Sequence, residues 1–403
     1  MRASIVIGAN FGDEGKGFVT STLAKEDDNS IVIRFNGGAQ AGHTVFHNNR
    51  KLTFHHFGSG THLNRPTYLS EFFIVNPILF NKELHDLKIR NITPNVIVNG
   101  NCLVTFPHDM ILNQLRERKR AKDNSKHGSC GVGIFETISR NDKKVKNLKK
   151  HLDLLQGWFE LLTSYLYNKL KSEGLYIYLT NSERDVLDFG FEKFSEEVQQ
   201  FLHNVTVVSS DQEVLNHYDE LIFEGAQGLL LDQNNHDFFP HLTPSNTGSI
   251  NPIKILKNID FFDKDNELIT YYVTRPYMTR HGEGPFPTEY DKFKEKYLVE
   301  DTQEINVNDG VQGKFRYGFL DKKLLRKTID KDLQEYQYLK LTNAIKNLKE
   351  TYFETQLIVT CRKHVKEPLC HQYKIPVKNN QHQYFRDFFK SFNFKRMDYS
   401  DME

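Results

Sequence analysis

The segment GANFGDEGKG, at residues 8–17, combines four glycines with one lysine and two acids. Glycines let backbone N–H groups converge on an anion, a helical pattern begins just downstream, and Lys16 supplies a cation. The segment is not a Walker loop, because Asn10 stands at that motif's first glycine and Gly17 follows the lysine where a hydroxyl is needed. It predicts a phosphate-binding turn. The alternative is a tight strand-to-helix turn with a solvated Lys16.

Further glycine-rich segments follow, most of them after apolar runs that are typical of strands. The first, NGGAQAGHT (36–44), ends near His43, a candidate acid or electrostatic partner beside a phosphate loop. The others are KHGSCGVGIFET (126–137), FEGAQG (223–228) with FFPHLTPSNTGS (238–249), TRHGEGPFPTE (279–289) and GVQGKFRYGFLD (310–321). Each alone is a plausible turn. Together they predict a pocket that binds several substrates.

The elements that must position these loops are those of an α/β protein. Strand, loop, helix and strand in succession at the start of the chain predict a parallel sheet. Apolar runs predict strands at 3–8, 30–35, 72–77, 95–99, 220–225, 267–275 and 355–362, and helical spacing predicts one long helix over 150–172. Ligands of such sheets bind beyond the carboxyl ends of the strands. We expect a single domain over residues 1–403.

Composition narrows the function classes. The 403 residues carry a net charge of +1, which argues against a dedicated nucleic-acid binder, and the basic runs at 116–122 and 143–151 are typical of solvated surface. Four scattered cysteines without a C-x-x-C pair favour neither zinc nor a disulfide framework. No signal peptide and no apolar stretch of about 18 residues is found. We therefore expect a cytoplasmic protein without a membrane segment.

Taken together, these segments resemble the adenylosuccinate synthetase family. GDEGKG, FEGAQG and GPFPTE match its motifs identically, TPSNT nearly so, and GGAQAGHT departs at Ala39 and Gln40. The resemblance runs in order from the N-terminus to about residue 321, and 322–403 is divergent. It implies a P-loop-like α/β fold with a large, mostly parallel sheet, acting as a homodimer. It also implies a ligase that joins L-aspartate to a purine nucleoside monophosphate, normally IMP, with GTP and Mg²⁺.

That reaction gives a reason for an acidic residue in a loop that binds phosphate. Phosphorylation of O6 makes a poor leaving group into a good one, and a base must first remove the N1 proton so that O6 can attack. By resemblance the base is Asp13, which would also bind Mg²⁺ together with the carbonyl of Gly42. His43 would stabilise or protonate the transferring phosphoryl oxygens, and Gln227 would contact the 6-oxo edge.

The resemblance assigns the remaining candidates to three groups. The donor phosphates would contact Gly12, Glu14, Gly15, Lys16, Gly17, Gly42 and Thr44. The nucleoside monophosphate would contact Gln40, Ser129, Cys130, Gln227 and Thr243, with Arg140 as the nearest match to an arginine shared across the dimer interface. Aspartate would lie against Val311, Gln312, Gly313, Lys314 and Arg316. Lys314 replaces the family's first arginine there, and lysine cannot reproduce the bidentate fork of arginine on a carboxylate.

The donor base is the largest departure from the family pattern. The family reads guanine with an aspartate in a T-K-L-D segment, and the matching stretch here is LKLTNAIKN (339–347). Thr342 aligns with the threonine, and the aspartate position holds Asn343 or Ile345 depending on the alignment. Because neither is a carboxylate for guanine's N1–H and 2-amino donors, ATP or dATP is an alternative to GTP.

The acceptor base also has an alternative. Some phage relatives convert dGMP into 2-amino-2′-deoxyadenylosuccinate with ATP or dATP, often with a small residue in place of the catalytic aspartate. This chain keeps Asp13, which favours IMP; a phage-encoded protein would work in the host cytoplasm. A generic kinase is disfavoured by Gly17. A non-catalytic nucleotide-binding protein is disfavoured because Asp13, Lys16, His43 and Gln227 are all present.

Overall fold

A parallel sheet forms the centre of the protein. The computed structural model describes residues 1–47, 50–297, 313–341, 352–361 and 393–398. Its strands are β1 (Arg2–Gly8), β2 (Ser30–Arg34), β3 (His43–His47), β4 (Arg50–Phe54), β5 (Thr67–Leu69), β6 (Ile74–Val75), β7 (Val96–Asn99), β8 (Leu103–Val104), β9 (Thr206–Val208), β10 (Glu220–Gly228), β11 (Glu267–Thr274), β12 (Tyr277–His281), β13 (Phe315–Phe319), β14 (Tyr352–Cys361) and β15 (Asn393–Asp398).

Helices cover the sheet and carry the loops. They are α1 (Lys16–Glu26), α2 (Pro77–Ile89), α3 (Pro107–Lys122), α4 (Ile134–Arg140), α5 (Val145–Lys150), α6 (Leu155–Ser172), α7 (Asn181–Phe189), α8 (Phe191–His203), α9 (Gln212–Leu215), α10 (Ile250–Asn258), α11 (Phe293–Tyr297) and α12 (Lys322–Leu341). No helix of the described ranges is long and apolar enough to span a bilayer.

Nine strands pair in the order β15-β14-β11-β1-β10-β2-β5-β7-β9, and each neighbouring pair is parallel. This confirms the predicted α/β class with its large parallel sheet. β1 lies near the middle, between β10 and β11, so that Val6 stands beside Glu224 on one side and Tyr271 on the other. The loop after β1 is thereby flanked by the ends of two other strands.

The strands form because both faces of the sheet are buried. Ile5 and Ile7 of β1 pack into one hydrophobic cluster, and Val6 packs into the other. The second cluster includes Phe18 and Leu23 of α1, which lies on that face. Alternate residues of a strand point to opposite faces, so a strand covered on both sides appears as an unbroken apolar run.

Two predicted elements differ from the structure. The run at 72–77 yields only the short strand β6, which pairs with β8 outside the central sheet. The helix predicted over 150–172 begins at Leu155, because the chain leaves helical geometry at His151 (φ −132°, ψ 50°). The antiparallel pairs β3–β4 and β12–β13, which the sequence patterns did not predict, extend from the glycine loops.

Backbone lies against backbone where β1 and β10 end. The pairing register shifts between Val6 and Gly8, so that Gly8 stands opposite Gly228. A Cβ atom on Gly228 would lie only 2.3 Å from the carbonyl oxygen of Asn10. One on Gly8 would lie 2.9 Å from the carbonyl oxygen of Gln227. Glycine is required at 228 because its neighbours there are main-chain atoms of Asn10 and Gly12, which cannot move aside as a flexible side chain can.

We predict that Gly228→Ala lowers the thermal unfolding midpoint and destabilises the fold by about 1–3 kcal/mol, as overpacking does. Gly157→Ala is the matched control: Gly157 is exposed within α6, and a Cβ there meets no atom within 4 Å. That change should instead stabilise the protein by about 0.5–1 kcal/mol. Thermal and urea unfolding of both variants check this, and equal stability of the two would contradict the close approach.

Candidate functional site

The opening loop presents a helix N-terminus. Gly15 caps α1 in the left-handed region (φ 95°, ψ 31°), and no side chain caps the first turn of the helix. Amide N–H groups at an uncapped N-terminus favour an anion. Lys16 is 3% exposed, and its Nζ donates to the carbonyl oxygen of Gly12 at 2.8 Å. The predicted phosphate-binding residues Gly12, Gly15, Lys16 and Gly17 therefore lie in one turn.

Glu14 serves the loop itself. Its carboxylate accepts hydrogen bonds from the backbone N–H groups of Gly12 at 2.7 Å and Asn10 at 3.1 Å, and it pairs with Lys16 Nζ at 3.2 Å. These contacts account for both carboxylate oxygens and fix the turn. Glu14, which the sequence assigned to the donor phosphates, thus binds groups of the loop itself and stabilises the turn.

Asp13 lies one residue before Glu14 in the same loop. Burial raises the pKa of the Asp13 carboxyl, and the positive charge of Arg275 opposes the rise most strongly, followed by Lys16 and His281. A carboxylate whose charge is disfavoured by burial is a stronger base than an exposed one. It is also an oxygen ligand whose ionised form a hard divalent cation would stabilise.

His43 is held in a buried network behind α1. Its Nδ1 donates to Glu224 Oε1 at 2.5 Å, and Glu224 also accepts from the backbone N–H of Ser59 at 3.0 Å and from the Ser59 hydroxyl. Arg34 Nη1 lies 4.0 Å from the other oxygen of Glu224. A Cβ atom on Gly17 would lie 3.0 Å from His43 Cβ, so this histidine packs on the first turn of α1.

The network sets the protonation state and the tautomer of the His43 ring. Burial lowers the pKa of His43 to about 4, against the attraction of Glu224 for the proton. Burial alone would raise the pKa of Glu224, but His43, Arg34 and Ser59 together outweigh it and lower that pKa to about 2. At neutral pH the ring is therefore neutral and Glu224 is ionised. Because Nδ1–H donates to the carboxylate, Nε2 carries the lone pair.

The β3–β4 pair continues from His43. Thr44 Oγ1 lies 3.2 Å from Thr53 Oγ1 on the opposite strand, so its hydroxyl is engaged within the pair. A Cβ atom on Gly42 would lie 3.2 Å from both His55 Cε1 and Thr53 Cγ2. Gly42 thus brings its backbone close to β4, just before the buried histidine.

A cavity of about 360 Å³ opens beside these loops. It brings together five residues that the sequence assigned to the nucleoside monophosphate: Gln40, Ser129, Cys130, Gln227 and Thr243. Both amide atoms of the Gln40 side chain are buried and have no hydrogen-bond partner within the described ranges. Buried polar atoms are nearly always paired with protein, water or ligand. Gln40 is therefore placed as a contact for a polar molecule.

Backbone geometry joins the cavity to the opening loop. Gln227 adopts a positive φ of 63°, and a Cβ atom on Gly12 would lie 3.0 Å from its Cα. Ser129 Oγ donates to Asn113 Oδ1 at 2.8 Å, which fixes the loop before α4. Burial raises the pKa of the neighbouring Cys130 thiol to about 11. Cys130 is therefore a thiol at neutral pH and is placed to contact a ligand, not to attack it.

Arg140 does not join the cavity. Its Nε and Nη2 donate to the Asp109 carboxylate at 3.1 and 2.8 Å, and Nη2 also donates to the carbonyl oxygen of Val104 at 2.8 Å. Nη1 pairs with Asp142. The sequence assigned Arg140 to the acceptor site of a partner subunit, so these contacts within its own chain leave that assignment a prediction.

Arg316 is likewise engaged by the fold. Its Nε and Nη2 donate to the carbonyl oxygens of Gly282 and Gly284 at 2.9 and 2.8 Å, and Nη1 pairs with Glu289 at 2.7 Å. Lys314 is exposed, and Gly313 accepts from His281 Nε2 at 3.2 Å. The predicted positions Val311, Gln312, Thr342 and Asn343, and the alternative Ile345, lie outside the described residues.

The cavity also contains polar residues that the sequence did not single out: Asn113, His127, His241, Arg280 and His281. Arg280 is 2% exposed, lies 4.4 Å from the Phe11 ring centre, and donates to the carbonyl oxygen of Pro285 at 2.7 Å. His127, His241 and His281 all belong to segments that the glycine and proline pattern marked as ligand loops. In the sequence, the only signal that these three histidines line a cavity was their residue type within those segments.

Comparison with known proteins agrees with this geometry. The family model described as adenylosuccinate synthetase matches residues 5–357. The chain belongs to the adenylosuccinate synthetase family. Adenylosuccinate synthetase of Nitratidesulfovibrio vulgaris is 29% identical over 339 residues, covering 81% of this chain and 74% of that protein. Adenylosuccinate synthetase of Francisella tularensis is 30% identical over 333 residues, covering 80% and 73% respectively. The chain is thus a carbon–nitrogen ligase of purine biosynthesis.

Two solved structures share the fold. Fully ligated adenylosuccinate synthetase from Plasmodium falciparum superposes with a TM-score of 0.59 at 23% identity, over 89% of this chain and 76% of that chain. Succinoaminodeoxyadenylate synthetase of cyanophage S-2L, bound to dGMP and dATP, superposes with a TM-score of 0.54 at 12% identity, over 89% and 84%. At these identities the likeness supports the fold of the family.

We predict that Glu224→Gln destabilises the protein by about 3 kcal/mol, because it leaves the fully buried Arg34 without its carboxylate. Glu220→Gln is the matched control on the same strand. Glu220 is also buried, but its partner Arg2 is 33% exposed and keeps part of its hydration, so we expect a loss of about 1 kcal/mol. Urea unfolding checks both, and a larger loss for Glu220→Gln would count against the network.

Proposed function

We propose that this ligase condenses L-aspartate with a 6-oxopurine nucleoside monophosphate, with IMP as the favoured acceptor, through a 6-phosphoryl intermediate. A nucleoside triphosphate donates the phosphoryl group and leaves as the diphosphate. The observation that carries the proposal is the contact between two loops: the turn with Asp13 and Lys16 lies against Gln227, which lines the cavity. The proposed site for the donor phosphates and the proposed site for the purine are therefore adjacent.

Asp13 is proposed as the base. It takes the N1 proton of the purine, so that negative charge moves to O6 and O6 attacks the γ-phosphorus of the donor. Burial supports this role because it raises the pKa of the carboxyl and so strengthens it as a base. Gln227, in the left-handed region at the boundary, is proposed to donate its side-chain amide to O6 and hold it in line for attack.

His43 is proposed to act on the transferring phosphoryl group. In the protein alone its ring is neutral, with Nδ1–H bound to Glu224 and a lone pair on Nε2. The negative charge of phosphoryl oxygens favours the imidazolium form, which donates from Nε2 while Glu224 stabilises the charge from behind. Glu224 is a positioning residue in this scheme, since it acts only through the histidine.

Mg²⁺ is proposed as the metal of this site. The Asp13 carboxylate and the carbonyl oxygen of Gly42 would hold it, since Mg²⁺ prefers oxygen ligands and usually completes its shell with phosphate oxygens and water. The described residues contain no cluster of three carboxylates, histidines or cysteines that could hold a metal without substrate. When bound, the ion would offset the charge of the donor phosphates. The amides of α1 and Lys16 would bind those phosphates directly.

Displacement of the phosphate completes the reaction. The aspartate amine attacks C6, the C–O bond breaks, and inorganic phosphate leaves. Because Arg316 is engaged by Gly282, Gly284 and Glu289, we propose that the exposed Lys314 supplies the cation for a substrate carboxylate. One ammonium binds as a point charge without a fork, so the orientation of aspartate depends on the surrounding loop.

The resemblance also supports a homodimer and a cytoplasmic location as parts of the proposal. The donor, GTP or ATP, depends on positions beyond the described residues and is decided by assay. The acceptor alternative is dGMP, which one solved structural neighbour binds.

Aspartate-dependent phosphate release should be measured with IMP, GMP and dGMP as acceptors, each with GTP and with ATP. We expect the highest kcat/KM with IMP, and a product that contains both aspartate and the purine by mass spectrometry. No phosphate release with any pair of acceptor and donor would contradict the ligase function. Turnover with dGMP and none with IMP would contradict the proposal that IMP is the favoured acceptor.

A further inference from the structure

A buried arginine lies where three of the ligand loops meet. Arg280, on β12, is 2% exposed and lines the acceptor cavity. Burial and the charge of Arg316, which stands directly opposite on β13, lower its pKa to about 10. The acid that attracts it, Glu289, forms a salt bridge with Arg316 instead. At neutral pH Arg280 is therefore a buried cation, and a buried cation needs compensating partners.

Three nitrogen atoms of this guanidinium group bind three main-chain carbonyl groups. Nε donates to the oxygen of Glu283 at 3.2 Å, Nη1 to that of Pro285 at 2.7 Å and Nη2 to that of His241 at 3.4 Å. Glu283 and Pro285 belong to the loop after β12. His241 belongs to the loop that carries the predicted nucleotide contact Thr243. One rigid fork thus joins two loops of the cavity, which the single ammonium group of a lysine cannot do.

The guanidinium group also lies on two aromatic rings. Its central carbon is 4.4 Å from the ring centre of Phe11 and 5.7 Å from that of Phe238. The two rings contact each other edge to face, with their centres 5.4 Å apart. An aromatic face attracts a desolvated cation more strongly than an exposed one. Because Phe11 is buried in the loop after β1, that loop is attached to the same arginine as the two cavity loops.

The proposed reaction requires these loops to keep a fixed spacing. Asp13 must reach N1 of the purine while Thr243 holds the same nucleotide, and a displacement of about 1 Å in such an arrangement can slow a reaction about 100-fold. Phe11 precedes Asp13 by two residues, and His241 precedes Thr243 by two residues. The contacts of Arg280 therefore lie next to both groups whose spacing matters.

We propose that Arg280 is a positioning residue that aligns the loop of Asp13 with the acceptor cavity. The inference rests on the proposed function and adds to it the residue that holds the base and the acceptor site in register. Arg280 acts through the Phe11 ring and the carbonyl group of His241. It does not itself transfer a proton or a phosphoryl group.

The test compares Arg280→Lys with the unaltered full chain in steady-state kinetics and in calorimetric titrations. Lysine keeps the positive charge but not the fork. We expect kcat to fall about 100-fold. The Kd values of IMP and of the donor nucleotide should each change less than about threefold, because alignment matters in the transition state. Arg326→Lys, at an exposed position on α12, is the matched control and should leave kcat unaltered.

Phe11→Leu tests the same contact from the side of the opening loop and keeps an apolar side chain there. We expect this change to lower kcat about tenfold, again with little effect on nucleotide affinity. In the double variant kcat should stay near that of Arg280→Lys, because residues that act as a unit have non-additive effects. Losses that multiply to about 1000-fold would show that the two residues act independently, and would overturn the inference.

An unaltered kcat in Arg280→Lys would also overturn the inference. So would nucleotide affinities that fall as far as kcat does, because Arg280 would then form the binding sites and not align them. These results leave the proposed function standing if the unaltered protein turns over. Absence of turnover by the unaltered protein with every pair of acceptor and donor would contradict the proposed function together with this inference. Thermal unfolding midpoints establish that each variant is folded. If Arg280→Lys unfolds below the assay temperature, Phe11→Leu decides by the same comparison of kcat and affinity.

Discussion

The chemistry of this protein depends on the contact between two main-chain segments at the centre of its sheet. The loop after β1 and the end of β10 approach so closely that Gly8 and Gly228 leave no space for a side chain, and Gln227 turns into the left-handed region. A side chain at Gly228 would press on the main chain of Asn10 and Gly12, which leads to the N-terminus of α1. The order β11-β1-β10 produces this meeting, because parallel strands end at one edge of the sheet.

Buried contacts fix several charged groups of the site in place. Glu14 and Lys16 are occupied by the loop, and Glu224 is occupied by His43, Ser59 and Arg34. These groups are fixed in place because releasing one would leave a buried charge unpaired. The Asp13 carboxyl group lies next to Glu14 in the loop, and His43 Nε2 belongs to the ring that Glu224 orients. Rigid pairs behind reactive groups keep those groups oriented while substrates enter and leave.

The sequence predicted the centre of the fold because strands buried on both faces appear as continuous apolar runs. β1, β2, β10 and β11 are of this kind, and so is the second half of β14, over 357–360. Short strands such as β5, with three residues, carry too little pattern to be recognised. The glycine segments predicted the ligand loops for the same physical reason that the structure gives, which is close approach of backbone.

The partners of individual side chains were beyond sequence reasoning. A motif match does not show which acids of its own chain an arginine contacts, and Arg140 and Arg316 contact Asp109 and Glu289. Glu14 shares its motif with Asp13, yet the loop's own amides bind it. His127 and His241 enter the cavity from different loops, and only the tertiary fold brings them together.

The central claim is that Asp13 makes O6 of the acceptor the nucleophile for phosphoryl transfer. It is tested most directly with IMP labelled with ¹⁸O at O6, aspartate and donor nucleotide, using the unaltered protein, Asp13→Asn and the control Asp185→Asn on α7. The account predicts that phosphate released by the unaltered protein and the control carries the label, while Asp13→Asn binds IMP and releases almost none. Unlabelled phosphate, or labelled phosphate formed by Asp13→Asn at the unaltered rate, would contradict it.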